Sequence, residues 1–448
     1  MKKLYLAFVI LFNSYCSAQT LGEKEAKLKG LSKEFKMAQE MGEELINLFI
    51  EDEIEYLHEQ FFSESLAEQL SVDKLESTRS KILKKDGQFE GILSAKLKRK
   101  AKKLYYLRGF ALESQIYDLQ FSLDEDDKLT SLFLTQSVEF QEWQMPEDVD
   151  LEKITIKDIE VGAEKPLLGE IIQPKGIKDF PIVVMVHGSG QNDMDESLGP
   201  NKLFKDLAYS LAMNGIGSIR YNKRTYEYTS DLIKNYTKSN FRTIVDEDAK
   251  LALELAKKNT EGKIILLGHS LGGHLAPRII EGEKVDGVIV MAGNSSHLKD
   301  LLLPQFEYLM ENDSTTSINQ FQLTMLKTQL KNLNTENYDS STVGPLLPLG
   351  LPAVFWMDLK NYKPVKIAKD QKLPYLVISG ERDYQVPPSE TKGWSAALNH
   401  PYSKMKVYPK LNHMFFAGEG LCLPAEYQEK AHLDLRVQSD IIRWIKGL

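Results

Sequence analysis

Three periodicities follow one another along the chain. From residue 22 to about 62, Leu31, Phe35, Ala38, Leu45 and Phe49 recur at steps of three and four or their multiples, one face of a helix. From Leu104 the period changes to two. Tyr117, Leu119, Phe121 and Leu123 alternate with Asp118, Gln120 and Ser122, so a strand has one buried and one wet face. An acidic turn at 124–127 then reverses the chain into a strand over 129–140. Helices followed by an antiparallel meander predict a small α+β domain over residues 22–140. The polar, proline-bearing stretch 141–150 reads as a linker.

From residue 151 strands and helices alternate. The runs 181–187 (PIVVMVH), 217–222, 263–268, 285–291, 373–379 and 405–408 read as strands, most of them apolar nearly throughout. Residues 202–214 and 241–259 read as helices, with Val245, Ala249, Ala252 and Ala256 stepping by four, three and four. Such strands alternating with helices predict a mostly parallel, doubly wound α/β sheet, covered on both faces, over residues 151–448. The rhythm breaks between about 298 and 370, where a Leu-, Pro-, Asn- and Ser-rich segment containing Phe355 and Trp356 reads as a cap inserted between sheet strands.

The start of the chain bears on compartment. Lys2 and Lys3 precede an apolar run over 4–12, and Cys16, Ser17 and Ala18 supply small residues before Gln19. Residues 1–18 therefore read as a signal peptide, and the mature protein is expected to be exported to the periplasm or beyond. The run is too short to span a bilayer, so no stable membrane insertion is expected. Lipidation of Cys16 is the rival, disfavoured by the bulky Tyr15 before it. Cleavage leaves Cys422 as the lone cysteine, read as a small buried hydrophobe rather than a nucleophile.

Charge and composition narrow the function classes. Among 448 residues, 56 are Lys or Arg and 64 Asp or Glu, a net charge of -8, so there is no basic surplus to neutralise phosphates and no nucleic-acid partner is expected. Two cysteines support neither a disulfide framework nor zinc-type spacing. No metal and no cofactor is expected.

The sharpest chemical signal is Gly268-His269-Ser270-Leu271-Gly272, between an expected strand and an expected helix. In that context G-x-S-x-G is a nucleophile elbow: a turn so tight that neighbouring side chains would clash, with the serine hydroxyl pushed out above the sheet. A serine needs a base, and the base needs an orienting acid. With the chain order serine, acid, histidine, His413 is expected as base because it lies just beyond the strand 405–408. His274 should point away, and His297 could line the site. Asp383 follows the strand 373–379 at its carboxyl end and is expected as the acid, with Glu381 and Asp358 as competitors. The oxyanion needs backbone N–H donors: Leu271 follows the nucleophile, and Ser189 lies in the loop His187-Gly188-Ser189-Gly190 after an early strand. Asp193, Asp195 and Glu196 cluster after that loop and read as a solvated or salt-bridged set, with Lys223 and Arg224 as their natural partners.

These segments together resemble the α/β-hydrolase superfamily, and within it a bacterial secreted group of serine esterases or hydrolases with an extra N-terminal domain. The resemblance rests on HGSGQNDMDESLGPNK (187–202), RYNKRTY (220–226), GHSLGGHLAPR (268–278), GERDYQVP (380–387) and LNHMFF (411–416). It implies Ser270 as nucleophile, Asp383 as acid and His413 as base. Met194 and Asn222 depart from the pattern, in which Arg and Asp are frequent. The N-terminal part is similar to small helix-plus-meander domains of the cystatin or NTF2-like kind.

The expected chemistry is hydrolysis of a small-molecule carboxylic ester through an acyl-serine. A peptidase is the nearest rival, since Glu307, Glu311 and Asp313 in the insert could hold a peptide terminus. An acyltransferase is another, and an envelope-binding protein with an idle hydrolase domain is the non-enzymatic alternative. The run 346–356 (LLPLGLPAVFW) either lines an acyl pocket or forms the cap's own core.

Overall fold

The apolar runs from residue 182 onward build the centre of an eight-stranded sheet, seen in a computed structural model that describes residues 20–21, 23–100, 103–137, 143–229, 235–335, 338–342 and 344–448. The expected signal peptide and Cys16 lie outside the described residues. The chain divides into two compact units, one over 18–141 and one from 142 to the C-terminus.

The N-terminal unit is an antiparallel sheet faced by helices. Its strands β1 (Thr20–Leu21), β2 (Phe89–Lys100), β3 (Lys103–Leu112), β4 (Gln115–Leu123) and β5 (Leu129–Ser137) lie side by side in chain order. The helices are α1 (Glu23–Leu28), α2 (Ser32–Ile50), α3 (Ile54–Phe61), α4 (Glu64–Gln69) and α5 (Val72–Asp86). Leu45, Ile46 and Phe49 of α2 pack with Phe110, Leu119 and Phe121 of the sheet. The stretch expected to be helical over 22 to about 62 is three helices, with breaks at Gly30 (φ 70) and Asp52 (φ 71). The strands also begin at Phe89, earlier than Leu104. The polar residues Glu90, Ser94, Lys96, Lys98 and Arg99, with Gly91 and Ala95, dilute the apolar alternation of β2.

In the second unit the sheet order is β15-β14-β13-β12-β8-β11-β7-β6. Its parallel core is β8 (Ile182–Val186), β11 (Gly217–Tyr221), β12 (Ile264–His269), β13 (Gly287–Met291), β14 (Tyr375–Gly380) and β15 (Lys404–Tyr408). A short hairpin, β9 (Ser197–Leu198) with β10 (Asn201–Lys202), stands apart from it. The continuous apolar runs are explained by two covered faces. Ile182, Val184, Leu266, Val288 and Val377 point into one core, while Val183, Met185, Leu267, Ile289 and Ile378 point into the other. The helix α6 (Leu203–Met213) and the C-terminal helix α13 (Leu435–Gly447) cover the second face, and α7 (Glu247–Asn259) and α8 (Leu271–Ile279) the first. This is the α/β-hydrolase architecture.

One edge of the sheet was not foreseen. β6 (Ile154–Val161) and β7 (Leu167–Pro174) form an antiparallel hairpin, and β7 also runs antiparallel to β11. The polar residues of β6 sit half-buried or exposed at the edge, so its sequence lacks the apolar density of the central strands.

The insert between β13 and β14 folds as α9 (Leu298–Asn312), α10 (Gln320–Asn334), α11 (Ala353–Leu359) and α12 (Pro364–Gln371). Leu347, Leu351, Phe355 and Trp356 are buried with Leu326 and Leu333, so the run 346–356 is largely core. Asp358 ties the insert down through Arg242 and Arg278 (both 3.1 Å), which removes it as a competitor for the acid.

Candidate active site

β12 ends at His269 and α8 begins at Leu271, which leaves one residue to make the turn. Ser270 makes it at φ 52 and ψ -117, a conformation that costs a non-glycine residue about 1–3 kcal/mol. Its N–H donates to the Met291 carbonyl on the next strand at 2.8 Å. The flanking glycines are required by contact rather than by dihedral angle. A Cβ on Gly268 would stand 2.3 Å from the Gly272 carbonyl carbon, and one on Gly272 would stand 2.3 Å from the Val186 oxygen. Gly272→Ala is therefore expected to destabilise this unit by about 3 kcal/mol or more, because backbone on both sides must move. Urea unfolding followed by tryptophan fluorescence reads the loss as a lower midpoint.

Two further loops reach the same place. The loop after β15 carries His413, shaped by Asn412, whose Oδ1 accepts the Met414 and Phe416 amides, both at 3.0 Å. The loop after β14 carries Asp383. His413 Nδ1 lies 2.7 Å from Asp383 Oδ2, and Asp383 Oδ1 accepts the amides of Gln385 (2.9 Å) and Val386 (2.8 Å). Asp383 thus shapes its own turn and orients the imidazole. Both residues are 3% exposed and Ser270 is 9% exposed, so the three are withdrawn from bulk water. Glu381, the other competitor, is exposed.

Ser270, His413 and Ser189 line one cavity of about 80 Å³, together with Met414, Tyr384 and Tyr427. The Ser189 loop is held from several sides. Lys223 Nζ donates to the Gly188 carbonyl at 2.5 Å, Asn192 Nδ2 to the Ser189 carbonyl at 3.0 Å, and Thr225 Oγ1 to the Gly190 carbonyl at 2.9 Å. The Gly188 amide is taken by Glu196 Oε1 at 2.6 Å, which leaves Ser189 as the next donor in the loop. Leu271 opens α8 directly after Ser270, and its amide therefore stands at a helix N-terminus. His187 packs between Phe204 and Tyr221; burial pushes its pKa down to about 4, so it is a neutral packing ring.

The wall of the same cavity holds a contact that sequence inspection missed. His269 Nδ1 is 3.0 Å from Glu196 Oε1, and its Nε2 is 3.1 Å from the His413 main-chain oxygen. The His269 and His413 rings are 4.8 Å apart. Burial alone would lower the pKa of His269, but Glu196 outweighs it and the net direction is upward. Glu196 and His269 are 73 positions apart (269 − 196), and nothing in the motif GHSLG marks its second residue as a partner for a distant acid.

Two expectations need correction and one is narrowed. Of the two states expected for the acids after the Ser189 loop, the structure has the salt-bridged one, buried: Asp193 accepts the Ser197 amide and hydroxyl, and Asp195 pairs with Lys202 at 3.0 Å and with Arg220. Their partners are not Lys223 and Arg224, since Lys223 turns to Gly188 and Arg224 pairs with Asp248. His297 does not reach the cavity; it caps α9 by accepting the Lys299 amide at 3.2 Å. The charge pairings join segments distant in the chain, which local spacing does not encode. Cys422 is buried, with its thiol pushed up to about 12 by burial.

Comparison with known proteins identifies the family. The family model described as serine aminopeptidase, S33 matches residues 180–419. Esterase EstD of Thermotoga maritima is 37% identical over 326 residues, which cover 72% of this chain and 75% of EstD. Among solved structures, Est1E from Butyrivibrio proteoclasticus matches with 12% identity and a TM-score of 0.42, covering 65% of this chain and 96% of Est1E. An esterase from Pyrococcus furiosus matches with 16% identity and a TM-score of 0.40, covering 67% of this chain and 94% of that one. With a family model spanning more than half of its length and a relative at this identity, the chain belongs to the serine aminopeptidase S33 family of α/β hydrolases.

Proposed function

We propose that the protein hydrolyses carboxylic esters of short acyl groups through an acyl-enzyme on Ser270. One observation carries the proposal: a serine held at φ 52 shares a cavity with a histidine whose Nδ1 is 2.7 Å from a buried aspartate. Asp383 keeps the Nδ1 proton on His413 and leaves Nε2 as the base. Ser270 Oγ bonds to the ester carbonyl carbon while its proton passes to Nε2. The carbonyl electron pair moves onto oxygen, where the Ser189 and Leu271 amides receive the charge. The adduct then expels the alcohol, which leaves with the proton from His413. Water adds to the acyl carbonyl as His413 takes its proton, and collapse releases the carboxylic acid and returns the proton to Ser270.

Several observations favour this substrate class. The relative at 37% identity bears the name esterase. The cavity of about 80 Å³ is far below the roughly 300–1,000 Å³ of drug-sized sites, which suits a short acyl group. Glu307 pairs with Lys327 at 3.2 Å, and neither it nor Glu311 nor Asp313 lines the cavity, which disfavours capture of a peptide terminus by the insert. Export belongs to the same proposal and rests on Lys2, Lys3 and the apolar run that follows them.

The test is an acyl ladder. The protein lacking residues 1–18 is expected to cleave p-nitrophenyl acetate with a kcat/KM at least about 10-fold above that for the octanoate, and to leave alanine p-nitroanilide intact. Preference for octanoate overturns the short-acyl assignment. Anilide cleavage faster than ester cleavage overturns the ester reading in favour of a peptidase.

A further inference from the structure

The site contains a buried charge pair that the mechanism above does not use. Glu196 adopts φ 50, an unfavourable conformation for a side-chain-bearing residue, and this delivers its carboxylate beneath the Ser189 loop. One oxygen, Oε1, meets two groups: the Gly188 amide at 2.6 Å and His269 Nδ1 at 3.0 Å. The second contact stands at ion-pair distance. On the far side of the same ring, Nε2 meets the His413 carbonyl at 3.1 Å. A carbonyl only accepts, so Nε2 is the donor there. With the proton on Nε2 and a carboxylate beside Nδ1, both nitrogens are served best when the ring is an imidazolium.

We infer that Glu196 is a positioning residue for ester hydrolysis: acting through His269, its single carboxylate sets the loop that offers the oxyanion donor and the loop that offers the base in register with Ser270. Neither Glu196 nor His269 needs to touch the reacting atoms. Gly188 precedes Ser189, so a shift of the Gly188 amide moves the next amide with it. His269 precedes Ser270, so the same clamp is anchored at the elbow. Three loops that come from β8, β12 and β15 thereby share one electrostatic fastening. Misplacement of a donor or base by about 1 Å is enough to cost roughly 100-fold in rate.

The inference rests on the assignment of Ser270, His413 and Asp383 above, and the test separates the two. Glu196→Gln keeps an oxygen for the Gly188 amide and nearly the same volume, but removes the charge that holds His269. It is expected to lower kcat on p-nitrophenyl acetate roughly 10- to 100-fold with KM within about threefold, and to slow phosphorylation of Ser270 by diethyl p-nitrophenyl phosphate in parallel. Glu196→Asp, which keeps the charge, is expected to recover part of the loss. His269→Gln, which leaves the Glu196–Gly188 bond in place, is expected to match Glu196→Gln and serves in its place if that variant does not fold. Equal kcat and equal phosphorylation rates in the parent and a folded Glu196→Gln or His269→Gln overturn the inference. So does a lowered melting temperature with kcat unchanged, the signature of a merely structural pair. If the parent itself is neither phosphorylated nor active in a Ser270-dependent way, the assignment of the triad falls, and the inference with it.

Discussion

Ser270→Ala is expected to abolish ester hydrolysis, with kcat falling by at least about 10⁴-fold, while the melting temperature stays within about 2 °C of the parent. The loss is large because Ser270 is the attacking group in the proposed mechanism, and Cys422 is buried with its thiol pushed up to about 12. The stability is spared because alanine inherits the same backbone strain and leaves no hydrogen bond of the serine hydroxyl unmade in the core. Ser270→Gly is the informative companion. Glycine adopts φ 52 without penalty, so this variant is expected to exceed Ser270→Ala by about 1 kcal/mol in urea unfolding. The elbow holds Ser270 in a strained conformation that the proposed chemistry uses. A Ser270→Gly variant no more stable than Ser270→Ala would show that the turn stores no strain. Activity retained in both variants would place the nucleophile elsewhere.

Asp383→Asn is expected to lower kcat by about 10⁴-fold, nearly as much as loss of the nucleophile. In the proposed mechanism Asp383 Oδ2, 2.7 Å from His413 Nδ1, fixes which nitrogen is free to act as base. An asparagine can satisfy the Gln385 and Val386 amides with its oxygen, but it then presents its NH₂ to His413. That reverses the tautomer and puts the proton on Nε2, where the base must be empty. Because the two amides at 2.9 and 2.8 Å keep their acceptor, the turn survives and the fold is spared. The measurement is steady-state hydrolysis of p-nitrophenyl acetate beside circular dichroism. A variant within about 10-fold of the parent would show that another group orients His413.

The elements most legible in the sequence were those whose signal is local. The strands at 182–186, 264–269 and 375–380 announce themselves because both faces of a central parallel strand are covered, leaving no polar position to interrupt the run. Ser270 was legible for a similar reason: Gly268 and Gly272 are demanded by backbone contacts within the turn they flank. His413 and Asp383 followed from their places just beyond strand ends. The edge hairpin β6–β7 was not legible, because an edge strand is half wet and its pattern is diluted by residues such as Lys157, Asp158 and Glu160. Nor were the breaks at Gly30 and Asp52, since a helical face can be continued past a reversal without changing its period.

What the sequence determined by itself is therefore the layered sheet, the order of its strands along the chain, and the candidates proposed here as serine, acid and histidine. Each depends on residues within a few positions of one another, where periodicity and turn chemistry act. The tertiary structure alone decided the partners. It turned Asp195 to Arg220 rather than to Lys223, set His297 Nε2 against the Leu359 carbonyl, and packed Phe355 and Trp356 into a core. It also brought Glu196 against His269 and the Gly188 amide. Buried charges pair with whatever the sheet order places beside them, and that order brings together strands far apart in the chain.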